Sequence, residues 1–194
     1  MSLTSTDNAA SMIKADRAVP VGTCPELLVR AVRAEVRRGL DWQQTADRVA
    51  GVLRAGLPDP ATLLPAGLRH GNPACYQSHL LYAEPGGSFS VSAMVWLPGQ
   101  QTVIHDHVAW CVTGVLQGHE YEEVFALADG GRALEIVAAN VNPAGAVSGF
   151  APPGDIHRVR NTGDDVAISI HAYGADISRL GSSIRREYTL ALLP

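Results

Sequence analysis

The sequence predicts a mainly β protein, a small β-barrel with two or three helices before it. Two observations support this fold class. Apolar residues recur at helical spacing only within about residues 25–66, whereas from Cys75 onward short β-type runs alternate with turns rich in Gly, Pro, Asn and Asp. About eight short strands at this spacing favour a sandwich or barrel over parallel βαβ units, and we predict a barrel.

The chain of 194 residues has the size of a single domain. Residues 1–20 mix Ser, Thr, Asn, Asp and Ala with little periodicity, so we expect a flexible lead-in. We predict one domain over residues 21–194, in which a helical segment covers about 25–66 and the β-barrel covers about 75–175.

The helical segment divides into two amphipathic helices and one short turn. From Pro25 to Leu40, apolar residues recur at spacings of one, three or four, which predicts the first helix. Asp41 is placed to cap a second helix, with Gln44 at the capping-box position, and Gly56 ends it. A short third helical turn is predicted around Ala61–Leu64.

The β-type runs are rich in β-branched and aromatic residues and are separated by turn residues. The third run contains no internal Pro and is bounded by Pro98-Gly99 and Gln117-Gly118, so we predict one long strand there. In chain order, the predicted strands are Tyr76–Ala83, Ser88–Leu97, Thr102–Leu116, Glu120–Leu127, Ala133–Val141, Ala146–Phe150, His157–Asn161 and Val166–Tyr173.

Composition narrows the class of protein. A hydrophobic content of 46% with a net charge of -4 is typical of soluble globular proteins and gives no electrostatic reason to expect a nucleic-acid partner. Three widely spaced cysteines, Cys24, Cys75 and Cys111, favour a reducing compartment, so we expect a cytoplasmic protein. We see no signal peptide or membrane span, and we expect a monomer or weak homo-oligomer.

Two histidines in the third predicted strand are the first chemical signal. Alternation along a strand places His105, His107, Ala109 and Cys111 on one face. Taken alone, the pair of imidazoles fits either half of a metal site or an exposed edge strand with solvated side chains.

The spacing around this pair resembles the first motif of the cupin superfamily. Five residues separate Gly99 from His105, one separates His105 from His107, three follow before Cys111, and six more before Gly118. The cupin motif has Glu where this chain has Cys111. The resemblance implies the small jelly-roll β-barrel of the cupins.

A second cupin motif follows in the expected order. Its pattern Pro-x-Gly-x-x-His-x-x-x-Asn matches residues 152–161 at every fixed position, although the upstream glycine is displaced by one residue, to Gly145. The resemblance therefore supplies His157 as a third metal ligand beside His105 and His107.

Three neutral imidazoles without a carboxylate leave a divalent metal with its full charge and with open coordination positions. That arrangement is typical of a catalytic rather than a structural site. An uncompensated divalent cation favours a thiolate ligand, because a thiol that coordinates a metal is deprotonated.

The last predicted strand carries a further array. Ser169, His171 and Tyr173 share one face by alternation. Together with the histidines, they resemble the thiol dioxygenase branch of the cupins, the family of cysteine dioxygenase and 3-mercaptopropionate dioxygenase. The resemblance covers about residues 75–175 well and the preceding helices more loosely.

Several expectations follow from this resemblance. His105, His107 and His157 would hold Fe(II), and both atoms of O2 would go to the sulfur of a small carboxylated thiol to give a sulfinate. Ser169, His171 and Tyr173 match the family's Ser-His-Tyr array, in which the Tyr hydroxyl contacts substrate or oxygen and the His orients it. The expected partners are thus a small thiol and O2.

The resemblance leaves two readings of Cys111. It is either a buried free cysteine, the common fate of this residue in a reduced protein, or the partner of Tyr173 in the thioether cross-link of animal-type cysteine dioxygenases. One residue is missing between His107 and Cys111 relative to the animal pattern.

Substrate recognition departs from the animal-type pattern. The position that holds Arg in animal enzymes and Gln in 3-mercaptopropionate dioxygenases is Ser78 here, beside Gln77. Arg185 and Arg186 are either candidates for the C-terminal Arg of the mercaptopropionate branch or two exposed arginines near a terminus. Trp110 also resembles the bacterial mercaptopropionate-type enzymes and is a weak substrate-binding candidate.

Two other classes of function fit part of this pattern. Another metal-dependent cupin enzyme, such as an isomerase or a dioxygenase of a non-thiol substrate using Zn, Ni or Mn, would keep the three histidines but has no use for the Ser-His-Tyr array. A non-catalytic cupin that senses a metal or a ligand would need no open coordination position.

Overall fold

The structure is a computed structural model that describes residues 24–193, so the predicted lead-in over residues 1–20 lies outside the described residues. Its helices are α1 (Glu26–Val36), α2 (Trp42–Ala55), α3 (Pro60–Leu63) and α4 (Ile177–Leu180). Its strands are β1 (Gln77–Ala83), β2 (Ser90–Trp96), β3 (His105–His107), β4 (Cys111–Gln117), β5 (His119–Ala128), β6 (Ala133–Pro143), β7 (Val147–Phe150), β8 (His157–Arg160), β9 (Ala167–Tyr173), β10 (Ile184–Glu187) and β11 (Ala191–Leu192).

The strands form two sheets that enclose a central cavity. One sheet has the order β1-β2-β9-β4-β7, and the other has the order β10-β3-β8-β5-β6-β11. All pairings are antiparallel except that of β11 with β6. The predicted mainly β, cupin-type barrel is confirmed.

The helices cover the outer face of the five-stranded sheet. Helix α2 packs on β4 and β7, and α1 packs on α2. Close approach requires a glycine, because a Cβ at Gly149 would lie 3.1 Å from the Ala46 carbonyl oxygen of α2. The predicted cap of α2 is present, with the Gln44 backbone N–H donating to Asp41 Oδ1 at 2.8 Å.

The main hydrophobic core therefore lies between the helices and this sheet, and the face of the sheet turned away from the helices lines the cavity. Strand β9 shows the division. Ile168, Ile170 and Ala172 belong to the core, so their neighbours Ser169 and His171 point to the cavity. None of the helices described for residues 24–193 combines the length and hydropathy that crossing a bilayer requires.

The prediction of one strand over Thr102–Leu116 is wrong. The chain leaves the six-stranded sheet after His107 and enters the other sheet at Cys111, so β3 and β4 belong to different sheets. Trp110 explains the break, because its indole is buried in the helix-side core and packs on Gly174, where no room remains for a Cβ. A continuous alternation from His107 to Cys111 therefore does not exist.

The C-terminal segment contains elements that the sequence pattern did not predict. Strand β10 pairs with β3, where Ile184 lies opposite His107 and Glu187 lies opposite His105. Three of its four residues are charged, so it lacks the apolar alternation by which strands are recognised. Its partner is thus the strand that carries two of the candidate metal ligands.

Candidate metal centre

Three histidines from two neighbouring strands converge inside the barrel. His105 and His107 lie on β3, and His157 on β8 is the register partner of His105. All three are at most 5% exposed, and their ligand atoms lie within 4.8 Å of one another. Antiparallel pairing thus brings two motifs that are 50 residues apart in the chain into one cluster.

Each of the three histidine rings is oriented by a hydrogen bond at its Nδ1 atom. The oxygen partners are the Val103 carbonyl for His105 (2.9 Å), Asp155 Oδ2 for His107 (3.1 Å) and Glu122 Oε1 for His157 (2.7 Å). An Nδ1 next to an oxygen acceptor carries the hydrogen, so the Nε2 lone pair is left free to bind a metal. This set of oriented nitrogen donors fits a divalent transition metal ion.

Burial keeps His105 and His107 in the neutral form that binds a metal. Desolvation lowers the pKa of His105 well below its ordinary value and also lowers the pKa of His107, so both rings are neutral. Burial by itself raises the pKa of Glu122, but its hydrogen bond and charge interaction with His157 outweigh burial, and the pKa is lowered. Glu122 is therefore an ionised acceptor behind His157.

Removal of that acceptor charge is expected to weaken metal binding. We expect Glu122→Gln to reduce metal affinity about 10- to 100-fold, because outer carboxylates orient the ring and raise the basicity of the ligand nitrogen. Competition titration against a chelator measures this. Glu135→Gln is the control, since Glu135 is exposed on the neighbouring strand β6. Equal affinities of both variants would contradict an orienting role for Glu122.

A second group of polar side chains faces the histidines from β9. His171 Nε2 lies 2.9 Å from Ser169 Oγ, and His171 Nδ1 lies 3.2 Å from the Tyr173 hydroxyl. Trp96 donates its indole N–H to Ser169 Oγ at 3.3 Å. Burial lowers the pKa of His171 to about 3 and raises that of Tyr173 well above its ordinary value. The array is thus a neutral, hydrogen-bonded column.

The cavity between the two groups is narrow, with a volume of about 30 Å³. That volume is about twice the roughly 10–15 Å³ that one water molecule needs, so the cavity has room for about two water molecules. Besides the histidines, Cys111 and Tyr173, its lining consists of Tyr76, Met94, Trp96, Thr102, Thr113, Phe150, Val159, Ser183 and Ile184. Within the described residues, the lining contains neither Arg nor Lys.

The sequence of this chain matches a known protein family. The family model described as cysteine dioxygenase type I matches residues 72–182, more than half of the chain. This chain belongs to the cysteine dioxygenase type I family. With its group of three histidines, this family member is a metal-dependent cupin.

This cysteine dioxygenase family member is also similar in fold to several solved structures. A recombinant oxalate oxidase in complex with glycolate is 20% identical over 54% of this chain and 53% of its own, with a TM-score of 0.43. A Cupin 2 conserved barrel domain protein from Salinispora arenicola is 23% identical over 53% and 78%, with a TM-score of 0.40. An RmlC-like cupin from Desulfovibrio desulfuricans is 19% identical over 57% and 92%, with a TM-score of 0.42. The chain thus spans about half the length of the oxalate oxidase chain that it matches.

The two candidate arginines do not line the cavity. Asp106 lies between two ligands, so it points to the opposite face of β3. Its Oδ2 accepts hydrogen bonds from Arg185 Nη2 at 2.6 Å and from Arg186 Nη2 and Nε at 2.9 and 3.1 Å. The Tyr188 hydroxyl donates to the same oxygen at 2.9 Å. In this structure both guanidinium groups therefore fasten β10 to the ligand strand.

The other weak substrate candidates lie in three different places. Ser78 pairs with Met94 and shares its cavity-side face, whereas Gln77 pairs with Val95 and shares the helix-side face. Trp110 is buried in the helix-side core. Neither Gln77 nor Ser78 is part of the cavity lining, and the residue that reaches the cavity from this end of the sheet is Tyr76.

Cys111 faces the cavity from β4, where it is the register partner of Tyr173 on β9. Both side chains are buried, and burial raises the pKa of the Cys111 thiol. Residues directly opposite on antiparallel strands have Cβ atoms about 4.5–5.5 Å apart. The thioether between Cys111 and Tyr173 stays a prediction.

Several site residues escaped the sequence analysis. Asp155 stands two residues before His157 in the second motif, and that spacing was an available signal. Glu120 and Glu122 alternate within a β-type run, which is a sign of acidic side chains on an interior face. Phe150, whose ring centroid is 4.8 Å from that of His157, had no signal beyond its place at the end of a strand.

Proposed function

We propose that this family member is an iron(II)-dependent thiol dioxygenase that converts a small thiol to a sulfinate. The balanced reaction is RSH + O2 → RSO2⁻ + H⁺, in which sulfur is oxidised and dioxygen is reduced. The observation that carries the proposal is the histidine-only ligand set facing the Ser169-His171-Tyr173 column across a small buried cavity. An iron(II) ion held by the three imidazoles would supply the redox chemistry between dioxygen and sulfur.

The residues of the chain position the substrate, exclude water from the cavity and direct protons. Apolar side chains such as Met94, Phe150 and Val159 line the cavity and exclude water from the reacting atoms. The neutral His171 ring fixes the Tyr173 hydroxyl at the cavity, where it can hydrogen-bond to a substrate atom. Such oriented groups lower the barrier because they are already in place when charge develops.

The proposed substrate is a small carboxylated thiol of the cysteine or 3-mercaptopropionate type. The small volume supports the size, and the family resemblance supports the carboxylate. A carboxylate bound in the cavity requires a cationic partner, and Arg185 is 44% exposed at its side chain and adjacent to the cavity residue Ile184. Binding would then exchange its contact with Asp106 for one with the substrate.

The test is oxygen uptake by protein that has been loaded with iron under anaerobic conditions. Cysteine, 3-mercaptopropionate, mercaptosuccinate and cysteamine are supplied in turn, and the sulfinate product is identified by mass spectrometry. Cysteamine is the control for the carboxylate, since it has the thiol alone. No uptake with any thiol, from protein that holds close to one iron per chain, would contradict the proposal.

The variant Tyr173→Phe tests whether the Tyr173 hydroxyl contributes to turnover without contributing to metal binding. We expect this variant to retain its metal, because Tyr173 is not a ligand, and to lose about 10²-fold in kcat, the usual scale for a side chain that transfers or directs a proton. Iron content and oxygen uptake are measured on the same sample. An unchanged kcat would remove the Tyr173 hydroxyl from the mechanism.

A further inference from the structure

One buried carboxyl group at the far end of the β9 column has no role in the site described so far. Glu120 lies on β5, two residues before Glu122, so both side chains point to the barrel interior. It is 3% exposed, its Oε1 has no hydrogen-bond partner among the described residues, and the Ser169 hydroxyl and the Trp96 indole lie beside its carboxyl group. A buried polar atom without a partner is costly, and native structures retain few of them.

Ser169 connects this carboxyl group to the rest of the column. Its Oγ accepts a hydrogen bond from the Trp96 indole, a group that only donates. The Ser169 Oγ lies 2.9 Å from His171 Nε2, and the Glu120 carboxyl group lies beside the same hydroxyl, so a small rotation can turn the single Ser169 hydroxyl hydrogen to either acceptor. That choice determines which nitrogen of the His171 ring carries a hydrogen.

Two complete hydrogen-bond arrangements follow. With Glu120 protonated, Glu120 donates to Ser169, Ser169 donates to His171 Nε2, and His171 Nδ1 donates to Tyr173, whose own hydrogen then points into the cavity. With Glu120 ionised, every donation reverses, and Tyr173 donates to His171 Nδ1 while its oxygen accepts from the cavity. The two states differ by one proton on Glu120.

We propose that Glu120 is the terminal proton acceptor of the site, and that Ser169, His171 and Tyr173 conduct the proton to it. One proton enters at the Tyr173 oxygen, each hydrogen along the column moves one place, and one proton arrives on Glu120; the reverse movement returns this proton to the cavity when the product leaves, which accounts for the H⁺ of the balanced reaction. No other bond is made or broken. The inference rests on the proposed function in one respect, since the thiol is the source of the proton that the balanced reaction releases.

The surrounding charges are consistent with this assignment. Burial, reinforced by the nearby Glu122, raises the pKa of Glu120 to about 7, while Ser169 and Trp96 oppose the shift. Burial also holds the Cys111 thiol and the Tyr173 phenol protonated and the His171 ring neutral. Across the sheet, the register partner of Glu120 on β6 is the neutral Asn142. Near neutral pH, Glu120 is therefore the member of this group that gains and loses a proton.

Infrared difference spectroscopy of the metal-free protein tests the column without turnover. We expect the carbonyl band of a protonated, buried carboxyl group that disappears as the pH rises through about 7 and is absent from Glu120→Gln. In Ser169→Ala the band should persist to higher pH, because the Ser169 hydroxyl lowers the pKa of Glu120. A band that Ser169→Ala leaves unchanged, or no band assignable to Glu120, would overturn the inference.

The pH profile of turnover tests the proton path. In the parent protein, kcat should rise through about pH 7 as Glu120 ionises, and Glu120→Gln should lower the plateau about 10²-fold and remove that rise. Glu120→Gln added to Tyr173→Phe should have no further effect, whereas the exposed Glu135→Gln should keep the parent profile. If the effects of the two substitutions on kcat were additive, the proposed proton path would be wrong. If the parent protein oxidises no thiol, the proposed function is wrong. The infrared experiment then still shows whether Glu120 gains a proton and is coupled to Ser169.

Discussion

His157→Ala is expected to abolish both metal binding and oxygen uptake. The substitution leaves two imidazoles, both from the three-residue strand β3, and removes the ligand that β8 contributes. It also leaves the buried Glu122 carboxylate without its 2.7 Å hydrogen-bond partner, and an unsatisfied buried acceptor costs roughly 1–3 kcal/mol. Metal analysis after anaerobic loading and dialysis should give iron near zero per chain.

A control variant must distinguish the loss of a metal ligand from the loss of a histidine elsewhere in the protein. His70→Ala suits this purpose, since His70 is exposed and lies outside the cluster of three. We expect its iron content, thermal unfolding and oxygen uptake to match those of the parent protein. Iron binding by His157→Ala at parent stoichiometry would show that the metal lies elsewhere.

Asp106→Ala is expected to destabilise the protein by weakening the attachment of the C-terminal segment to β3. Asp106 is 1% exposed, and its Oδ2 joins Arg185, Arg186 and Tyr188 of the C-terminal segment to β3. Burial raises the pKa of Asp106, but these three donors outweigh burial and lower it to about 2. A shift of this size corresponds to roughly 2 kcal/mol once the exposure of both guanidinium groups is taken into account.

The pH dependence of this contribution has a definite sign. Because the folded-state pKa is depressed, the stabilisation is fully present above the ordinary Asp pKa of 3.8 and is lost as the pH falls through about 2. Urea unfolding should therefore separate Asp106→Ala from the parent protein at neutral pH, and the difference should shrink in acid. Arg132→Ala, which removes an exposed pair with Asp129, should change stability by less than about 0.5 kcal/mol. A pH-independent difference for Asp106→Ala would mean that packing, not charge, holds β10.

The sequence predicted the local parts of this molecule better than the parts that depend on tertiary contacts. The spacing of the His105-His107 pair brings two imidazoles to one face, and residues 152–161 match a motif of the family that the chain resembles, so the three histidines could be predicted from the sequence. The break at Trp110 was not, because residues 102–116 have uniform β character and only the packing of the indole on Gly174 divides them. Likewise, the carboxylate that holds Arg185 and Arg186 is 79 and 80 residues away in the chain.

The two halves of the site belong to different sheets. All three histidines lie on the six-stranded sheet, and the Ser169-His171-Tyr173 column lies on the five-stranded sheet. The gap between them is therefore a sheet-to-sheet spacing, which the side chains that fill the barrel set. We therefore expect substitutions that widen or narrow the barrel to change the distance between the two groups and to leave the spacing within each group unchanged. The metal ligands and the residues of the column can therefore be changed independently, in evolution or by design, because each group belongs to its own sheet.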